Sequence, residues 1–171
     1  SELFNKDIVC SCGRTHRCDI EMLEIGEGVI NKLPELLTGY NSILLVADSN
    51  TYPICGDTVK TLLGGKIKSE IVFETGDEIL VPDEESIDKT KEKLLADTDF
   101  ILGIGSGVIN DLCKYTAFFN GIRSGIIATA TSMDGFASSG AAMIIDGMKV
   151  TYTTKAPALI LGDIDILKNA P

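Results

Sequence analysis

Glycines stand at alternate positions 103, 105 and 107, between an apolar run and a segment of helical period. A strand, a glycine turn and a helix in that order let backbone N–H groups and the helix dipole meet a phosphate. Glycine lacks a Cβ, so a pyrophosphate can approach the chain closely. A tight turn without a ligand is the alternative interpretation. If a phosphate binds here, side chains at Gly105 or Gly107 should weaken cofactor binding far more than they lower thermal stability.

Carboxylates follow two other apolar runs. Asp48 ends the run 43–47, where it could accept hydrogen bonds from a ribose diol or could cap the next helix. Asp134 lies in a segment of hydroxyl-bearing and small residues at 129–140. Such a segment can hold a polar ligand at the carboxyl end of a sheet, or can be an ordinary polar connection.

Cysteine and histidine cluster near the start of the chain, at Cys10, Cys12, His16 and Cys18. These residue types suggest zinc, but the Cys-x-x-Cys pair of common structural zinc sites is absent. The sequence therefore favours an edge strand or a small hairpin with free thiols, and we assign no metal ligand to this chain.

Short apolar runs alternate with stretches of helical period along the chain. Several runs are apolar throughout, as expected when helices cover both faces of a parallel sheet. The pattern predicts strands at residues 42–48, 70–73, 99–103, 125–129 and 158–162, and helices at 28–37, 51–63, 84–96 and 108–119. Pro34 should kink or split the first helix, and Pro53 and Gly56 should interrupt the second.

Residues 141–153 break this alternation, because Asp146-Gly147 separates two β-prone runs and so predicts a hairpin. The predicted fold is a Rossmann-like α/β domain with a doubly wound, mostly parallel sheet and an inserted β-hairpin. Pro171 is a residue that often opens a helix, so we expect a further element after it.

Charge and composition exclude several classes of protein. The chain has 15 Lys+Arg against 25 Asp+Glu and a net charge of −10, which opposes binding to nucleic acid. No apolar run approaches the ~20 residues that span a bilayer, so we expect no membrane insertion. Five cysteines are an odd number, and the first residues carry no apolar signal segment. Free thiols and a reducing, cytoplasmic compartment are therefore expected.

Three ordered motifs resemble the iron-containing alcohol dehydrogenase and dehydroquinate synthase superfamily: residues 103–114, 129–139 and 163–171. Together with residues 10–16, they are most similar to its glycerol-1-phosphate dehydrogenase branch. The resemblance implies a metal-dependent oxidoreductase of phospholipid metabolism that uses NAD(P)H on a small-molecule substrate, interconverting dihydroxyacetone phosphate and glycerol 1-phosphate. A glycerol or polyol dehydrogenase, a dehydroquinate-synthase-like lyase and a non-catalytic nucleotide-binding module are the alternatives. A homo-oligomer and the choice between NAD and NADP are left open.

The same resemblance implies a set of site residues. Asp48 would meet the adenosine ribose, the turn through Asp111 would meet the pyrophosphate, and residues 129–132 would lie near the nicotinamide. The implied cofactor-binding residues are Asp48, Gly105, Ser106, Gly107, Asp111, Lys114, Thr129, Ser132 and Ser138. Asp134 matches a carboxylate that reaches the substrate, and it is the catalytic candidate. Ser106 stands where many relatives have glycine.

The family's metal ligands resemble one Asp and two His on a helical domain that follows the segment 169–171. This sequence has one His in total, and Asp163 and Asp165 precede that segment. We interpret these two carboxylates as strand-end and helix-start residues. Residues 1–171 are therefore predicted to form the NAD(P)-binding domain. A divalent metal (zinc, nickel or iron) is expected only with a helical domain beyond residue 171.

Overall fold

The computed structural model describes Phe4, residues 6–76 and residues 79–170. Its strands are β1 (Asp7–Val9), β2 (Thr15–Arg17), β3 (Met22–Gly26), β4 (Ile43–Asp48), β5 (Ile67–Phe73), β6 (Phe100–Gly105), β7 (Arg123–Ala128), β8 (Gly140–Ile145), β9 (Met148–Thr153) and β10 (Leu159–Asp163). Its α-helices are α1 (Leu33–Leu36), α2 (Tyr52–Leu63), α3 (Glu84–Glu92), α4 (Gly107–Phe119) and α5 (Ile164–Leu167). Short 3-10 helices cover Val29–Lys32, Gly64–Lys66 and Gly135–Ala137.

Six strands form one parallel sheet in the order β3-β10-β7-β6-β4-β5. Strand β4 continues to β5 on one side, whereas β6 continues to β7 on the other, so the winding reverses between β4 and β6. This is the doubly wound α/β architecture predicted from the alternation of apolar runs and helices. The predicted fold class is confirmed.

Helices cover both faces of this sheet. On one face, α1 and α2 contribute Leu33, Val59 and Leu63 to a core with the sheet residues Leu45 and Leu102. On the other face, α3, α4 and β8 bury a second set of apolar side chains, which includes Ile87, Ile109, Leu112, Ala141 and Met143. Burial on both sides explains why β4 and β6 are apolar almost throughout.

The predicted hairpin forms between β8 and β9, with Asp146 and Gly147 as its two turn residues. Both have positive φ, 51° and 73°, as a type I′ turn requires. A second, smaller hairpin pairs β1 with β2, with Ile8 opposite His16. It is the small hairpin that the sequence favoured for this segment.

Several boundaries differ from the prediction. Helix α2 runs without interruption, because Pro53 occupies its first turn, where no backbone N–H is needed, and the ring of Tyr52 lies against Gly56. The predicted helix 28–37 is split into the 3-10 helix Val29–Lys32 and α1, and α3 ends at Glu92. Pro171, expected to open a further helix, lies outside the described residues. None of the described helices is long and apolar enough to cross a bilayer.

Strand β3 was not predicted. It pairs in parallel with β10 at the edge of the sheet, with Met22 opposite Leu159. Glu24 interrupts the continuous apolar run that identifies the central strands, and the apolar Ile25 is exposed at this edge. Its position depends on pairing with a strand far away in the sequence, which a local pattern does not reveal.

Candidate functional site

The carboxyl ends of β4 and β6 meet where the winding of the sheet reverses. Val46 of β4 pairs with Gly103 of β6, so Asp48 and Gly105 are each two residues further along adjacent strands. Adjacent strands lie about 4.8 Å apart. In open α/β sheets, ligands bind in the crevice at this position. The structure therefore places two predicted site residues, Asp48 and Gly105, on either side of one crevice.

Helix α4 begins at this crevice with an N-terminus suited to an anion. The first bond of the helix runs from the Asn110 N–H to the Ser106 carbonyl at 3.0 Å, which leaves the N–H groups of residues 107–109 without intrahelical acceptors. Among the described residues, the Ser106 side chain makes no capping hydrogen bond to these N–H groups. The first turn of α4 contains no acidic residue. By contrast, Asp83 caps α3, and Glu84 and Glu85 occupy its first turn. The start of α4 thus fits the negative charge of a pyrophosphate.

The glycines of the turn have different roles. A Cβ on Gly103 would lie 2.9–3.0 Å from Ile126, Cys113 and Ile109, and a Cβ on Gly105 would lie 2.6 Å from Cβ of Ile109. These two glycines allow α4 to pack closely on the sheet. A Cβ on Gly107 would meet only Cγ of Met133, at 3.3 Å. Position 105 is therefore constrained mainly by packing against α4, and not by a cofactor as expected from the sequence. Position 107 leaves space for a cofactor phosphate.

Asp48 performs the capping role that the sequence left open. Its Oδ1 accepts hydrogen bonds from the backbone N–H groups of Asn50 at 2.9 Å and Thr51 at 2.8 Å. Thr51 is the N-cap of α2, so this carboxylate orders the start of that helix. The carboxylate is partly exposed beside the crevice, and its contact with a ribose remains a prediction.

The segment that follows β7 lies over the glycine turn. Thr129 is buried, and its N–H donates to the Gly105 carbonyl at 3.1 Å. Met133 reaches Gly107, and the side-chain amide of Asn110 donates to the Gly135 carbonyl at 3.5 Å. Ser132, Asp134 and Ser138 are exposed in this segment. Among the described residues, the Asp134 side chain accepts no capping hydrogen bond from the 3-10 helix Gly135–Ala137 that it precedes. Its carboxylate is accessible to a substrate.

Lys114 and Asp111 hold this segment and the β8–β9 hairpin against α4. The Lys114 side chain is fully buried, and its Nζ lies 2.8 Å from Oδ1 of Asp111. Lys114 also donates to the Gly140 carbonyl and lies 3.5 Å from the Ser138 carbonyl and hydroxyl oxygens. Oδ2 of Asp111 accepts from the Ala142 N–H at 3.0 Å. These two residues connect the helix to residues 138–142, and their direct contact with a cofactor stays a prediction.

Sequence reasoning missed Asn110 and Met133. Asn110 is 1% exposed, although it is polar, and Met133 lies against the first residue of α4. Residues 107, 110, 111 and 114 share one side of a helix because they are three or four positions apart. This spacing of polar residues was the available signal for Asn110. No local pattern marks Met133.

The buried thiols near the site are not suited to act as nucleophiles. Burial, with a smaller contribution from the negative charge of Asp163, raises the pKa of Cys55 to about 12. Burial likewise raises the pKa of Cys113, which packs beneath Gly103, far above its usual range, although Lys114 opposes that shift. Because the thiolate is the reactive form, neither side chain offers a nucleophile near neutral pH.

Asp163 is engaged in backbone hydrogen bonds rather than available to a metal. It is 1% exposed, and it accepts from the N–H groups of Gly28 at 3.2 Å, Ile30 at 2.9 Å and Asp165 at 2.9 Å. This agrees with its interpretation as a strand-end and helix-start residue. The chain's single histidine, His16, lies in the separate β1–β2 hairpin. The described residues do not fit a site made of one Asp and two His.

A pocket of about 280 Å³ lies next to the crevice, between the end of β5 and α3. Oγ of Ser49 and Oγ1 of Thr75 are 2.9 Å apart and connect the residues after Asp48 to its wall. Among the described residues, its charged lining residues are Glu74, Asp83, Glu85 and Lys89, so the lining carries a net negative charge. This acidic lining disfavours phosphate, so an uncharged part of a ligand suits the pocket better.

Residues 24–171 match the family of iron-containing alcohol dehydrogenases. Among curated proteins, a glycerol-1-phosphate dehydrogenase (NAD(P)+) of Halalkalibacterium halodurans is 37% identical over 168 residues, which cover 95% of this chain and 42% of that protein. The chain spans about two fifths of the length of the curated relatives it matches.

The solved structures of two enzymes are among those that share this fold. A glycerol dehydrogenase from Schizosaccharomyces pombe has a TM-score of 0.73 and 24% identity, over 89% of this chain and 39% of that one. A 2-deoxy-scyllo-inosose synthase, complexed with carbaglucose-6-phosphate, NAD+ and Co2+, has a TM-score of 0.73 and 18% identity, over 97% of this chain and 47% of that one. At these identities, the likeness concerns the fold.

Proposed function

The chain belongs to the iron-containing alcohol dehydrogenase family, and on that premise we propose that it is the dinucleotide-binding part of an NAD(P)-dependent glycerol-1-phosphate dehydrogenase. The reaction transfers a hydride between the nicotinamide and the carbonyl carbon of dihydroxyacetone phosphate, and a proton between solvent and the carbonyl oxygen. The curated relative named for this activity supports the choice of substrate. We also propose a cytoplasmic location, which the five free cysteines support.

The observation that carries this proposal is the uncapped start of α4 at the reversal of the sheet. Three backbone N–H groups, an open position at Gly107 and a first turn without carboxylates favour a pyrophosphate there. The adenosine ribose would then lie toward Asp48, and the uncharged adenine would enter the pocket beside Thr75. The nicotinamide would extend in the other direction, beneath the segment that begins at Thr129.

We propose that Asp134 acts on the substrate. It is exposed, its segment lies over the glycine turn through Met133, and its carboxylate can accept a hydrogen bond from a substrate hydroxyl. Lys114 and Asp111 position that segment through Ser138, Gly140 and Ala142. We infer that the chain's own residues bind the cofactor, orient the substrate and cover the crevice.

The family's ligand set of one Asp and two His does not fit this chain, because its Asp163 carboxylate accepts hydrogen bonds from three backbone N–H groups and His16 is its single histidine. The roles proposed for residues 1–171 in the dehydrogenase reaction therefore involve no metal. We propose that residues 1–171 form the NAD(P)-binding domain, and that the metal ligands lie on a helical domain beyond residue 171. The lengths of the relatives, of which this chain covers about two fifths, support that division.

Replacing Asp48 with asparagine is expected to raise the use of NADP(H) relative to NAD(H). Asparagine can still accept hydrogen bonds from the N–H groups of Asn50 and Thr51, but it no longer repels a 2′-phosphate. The ratio of the dissociation constants for NADPH and NADH should fall in D48N, while the melting temperature stays near that of the parent. Asp57→Asn, an exposed change on α2, is the matched control. An unchanged ratio would refute the ribose contact.

Asp134→Asn tests the substrate side of the proposal. In the longer protein, this variant should lose most of its activity with dihydroxyacetone phosphate, because its amide is a far weaker base and hydrogen-bond acceptor than the carboxylate. NADH binding and metal content should be nearly unchanged, and Asp146→Asn in the hairpin turn should keep full activity. Loss of NADH binding or of metal in D134N would show that its role was wrongly assigned. Activity with glycerol or other polyols, but not with dihydroxyacetone phosphate, would reject the proposed substrate.

A further inference from the structure

The β1–β2 hairpin brings together three ligands for a soft metal ion. Sγ of Cys10, Sγ of Cys12 and a ring nitrogen of His16 all lie within 4.8 Å of one another. Sγ of Cys12 and Nε2 of His16 are 3.2 Å apart. A tetrahedral zinc ion, with Zn–S bonds of about 2.3 Å and Zn–N bonds of about 2.0 Å, separates its ligand atoms by about 3.5–3.8 Å. Small side-chain rotations would bring the three atoms to that spacing.

The backbone of the turn produces this arrangement. Gly13 has a φ of 81°, a conformation that glycine adopts readily, and its N–H donates to the Cys10 carbonyl at 3.0 Å. The Cys10 N–H donates to the Arg14 carbonyl at 3.0 Å, which closes the turn. The Cys12 N–H points to Sγ of Cys10 at 3.5 Å. Hydrogen bonds of this kind orient and stabilise ligand atoms around metal ions.

The hairpin has few other sources of stability. Its strands contain three residues each, and all six are exposed. Isolated two-stranded hairpins are at best marginally stable in water. Arg17 forms ion pairs with Asp7 and Asp19, both at 3.1 Å, but exposed pairs contribute little. An ion that joined the end of β1 to β2 would hold the hairpin closed.

We propose that Cys10, Cys12 and His16 bind a soft divalent cation of the zinc class, with a fourth position open to water or another ligand. The sequence argued against zinc because the Cys-x-x-Cys pair is absent. In the folded turn, however, the ligand atoms of the three residues lie as close together as they would with that spacing. Cys18 lies outside the group and is not a ligand. The site is separate from the glycine turn, so it does not depend on the proposed dehydrogenase function.

Cobalt titration tests this site. The protein is treated with a chelator and a non-thiol reductant, freed of both under anaerobic conditions, and titrated with Co2+. We expect a thiolate-to-cobalt charge-transfer band that saturates at one ion per chain and disappears when Zn2+ is added. A metal site made of Asp and His gives no such band, so binding elsewhere does not interfere. Modification of Cys10 and Cys12 by a thiol reagent should slow by on the order of tenfold or more when Zn2+ is bound.

Variants define the ligand set. Cys12→Ser and His16→Ala should each lower the cobalt affinity by about tenfold or more, whereas Cys18→Ser should leave it unchanged. Zinc protection of the wild-type thiols requires no variant, so it separates a missing site from a misfolded variant. The proposal is overturned if Co2+ produces no charge-transfer band. It is also overturned if the band keeps its affinity in both ligand variants, or if Zn2+ does not slow the modification of Cys10 and Cys12.

Discussion

Replacing Lys114 with methionine is expected to lower the free energy of unfolding by about 3 kcal/mol, the lower end of the range for breaking a buried ion pair. The lower end applies because Asp111, its partner at 2.8 Å, is 21% exposed and can regain water. Methionine keeps the apolar stem but removes the donor to Asp111, Gly140 and Ser138. For a chain of this size, we expect the melting temperature to fall by about 6–12 °C.

Calorimetry or thermal unfolding monitored by circular dichroism measures this change. Lys89→Met on α3 is the matched control, because its ion pair with Glu85 is exposed and contributes little. If K114M lost NADH affinity but kept the parental melting temperature, Lys114 would be a cofactor ligand rather than the connection between α4 and the β8–β9 hairpin.

Gly105→Ala is expected to lower stability, whereas Gly107→Ala is expected to lower NADH affinity. A Cβ at position 105 would lie 2.6 Å from Cβ of Ile109, an atom fixed by the helix, so G105A should lose about 1–3 kcal/mol of stability. A Cβ at position 107 would meet only Cγ of Met133, at 3.3 Å, and a small shift of that side chain relieves this single contact, so G107A should nearly keep the parental stability. It should instead bind NADH about tenfold more weakly, a loss of about 1.4 kcal/mol, because the methyl group occupies the approach of the pyrophosphate.

Thermal unfolding and NADH titration of both variants separate packing from binding. Gly39→Ala provides a control for the change of residue type, because its Cβ would meet nothing within 4 Å. If G107A kept the parental NADH affinity, the result would contradict a phosphate site at the start of α4. An equal loss of stability in both variants would indicate that both glycines are needed for packing alone.

The central sheet could be predicted because burial on both faces leaves a local signature. Strands β4, β6, β7 and β10 are runs of apolar residues, and α4 repeats its apolar residues at helical spacing, so each element is visible without knowledge of its partners. The signal for the β8–β9 turn, the dipeptide Asp146-Gly147, is equally local. Strand β3 was not, because its pairing with β10 joins residues more than a hundred positions apart.

The same distinction applies to the site. The glycine turn and Asp48 lie at the ends of strands that the sequence identifies, so their meeting follows from the parallel sheet. The roles of Gly105 and Lys114 do not follow, because they depend on where Ile109 and Gly140 lie in three dimensions. The closeness of Cys12 and His16 likewise arises from the turn at Gly13, which spacing alone does not reveal.

The most direct test of the account is an NMR titration of the isotope-labelled chain with NADH, in which backbone amide shifts report the site of binding. We expect shift changes at Gly107, Val108 and Ile109 of α4, with smaller changes at Asn50 and Thr51 beside Asp48. The amides of Lys68 and Ser69, which line a pocket at the opposite end of β5, should not move. Changes confined to that pocket, or no change at α4 when NADH is saturating, would contradict a dinucleotide site at the reversal of the sheet.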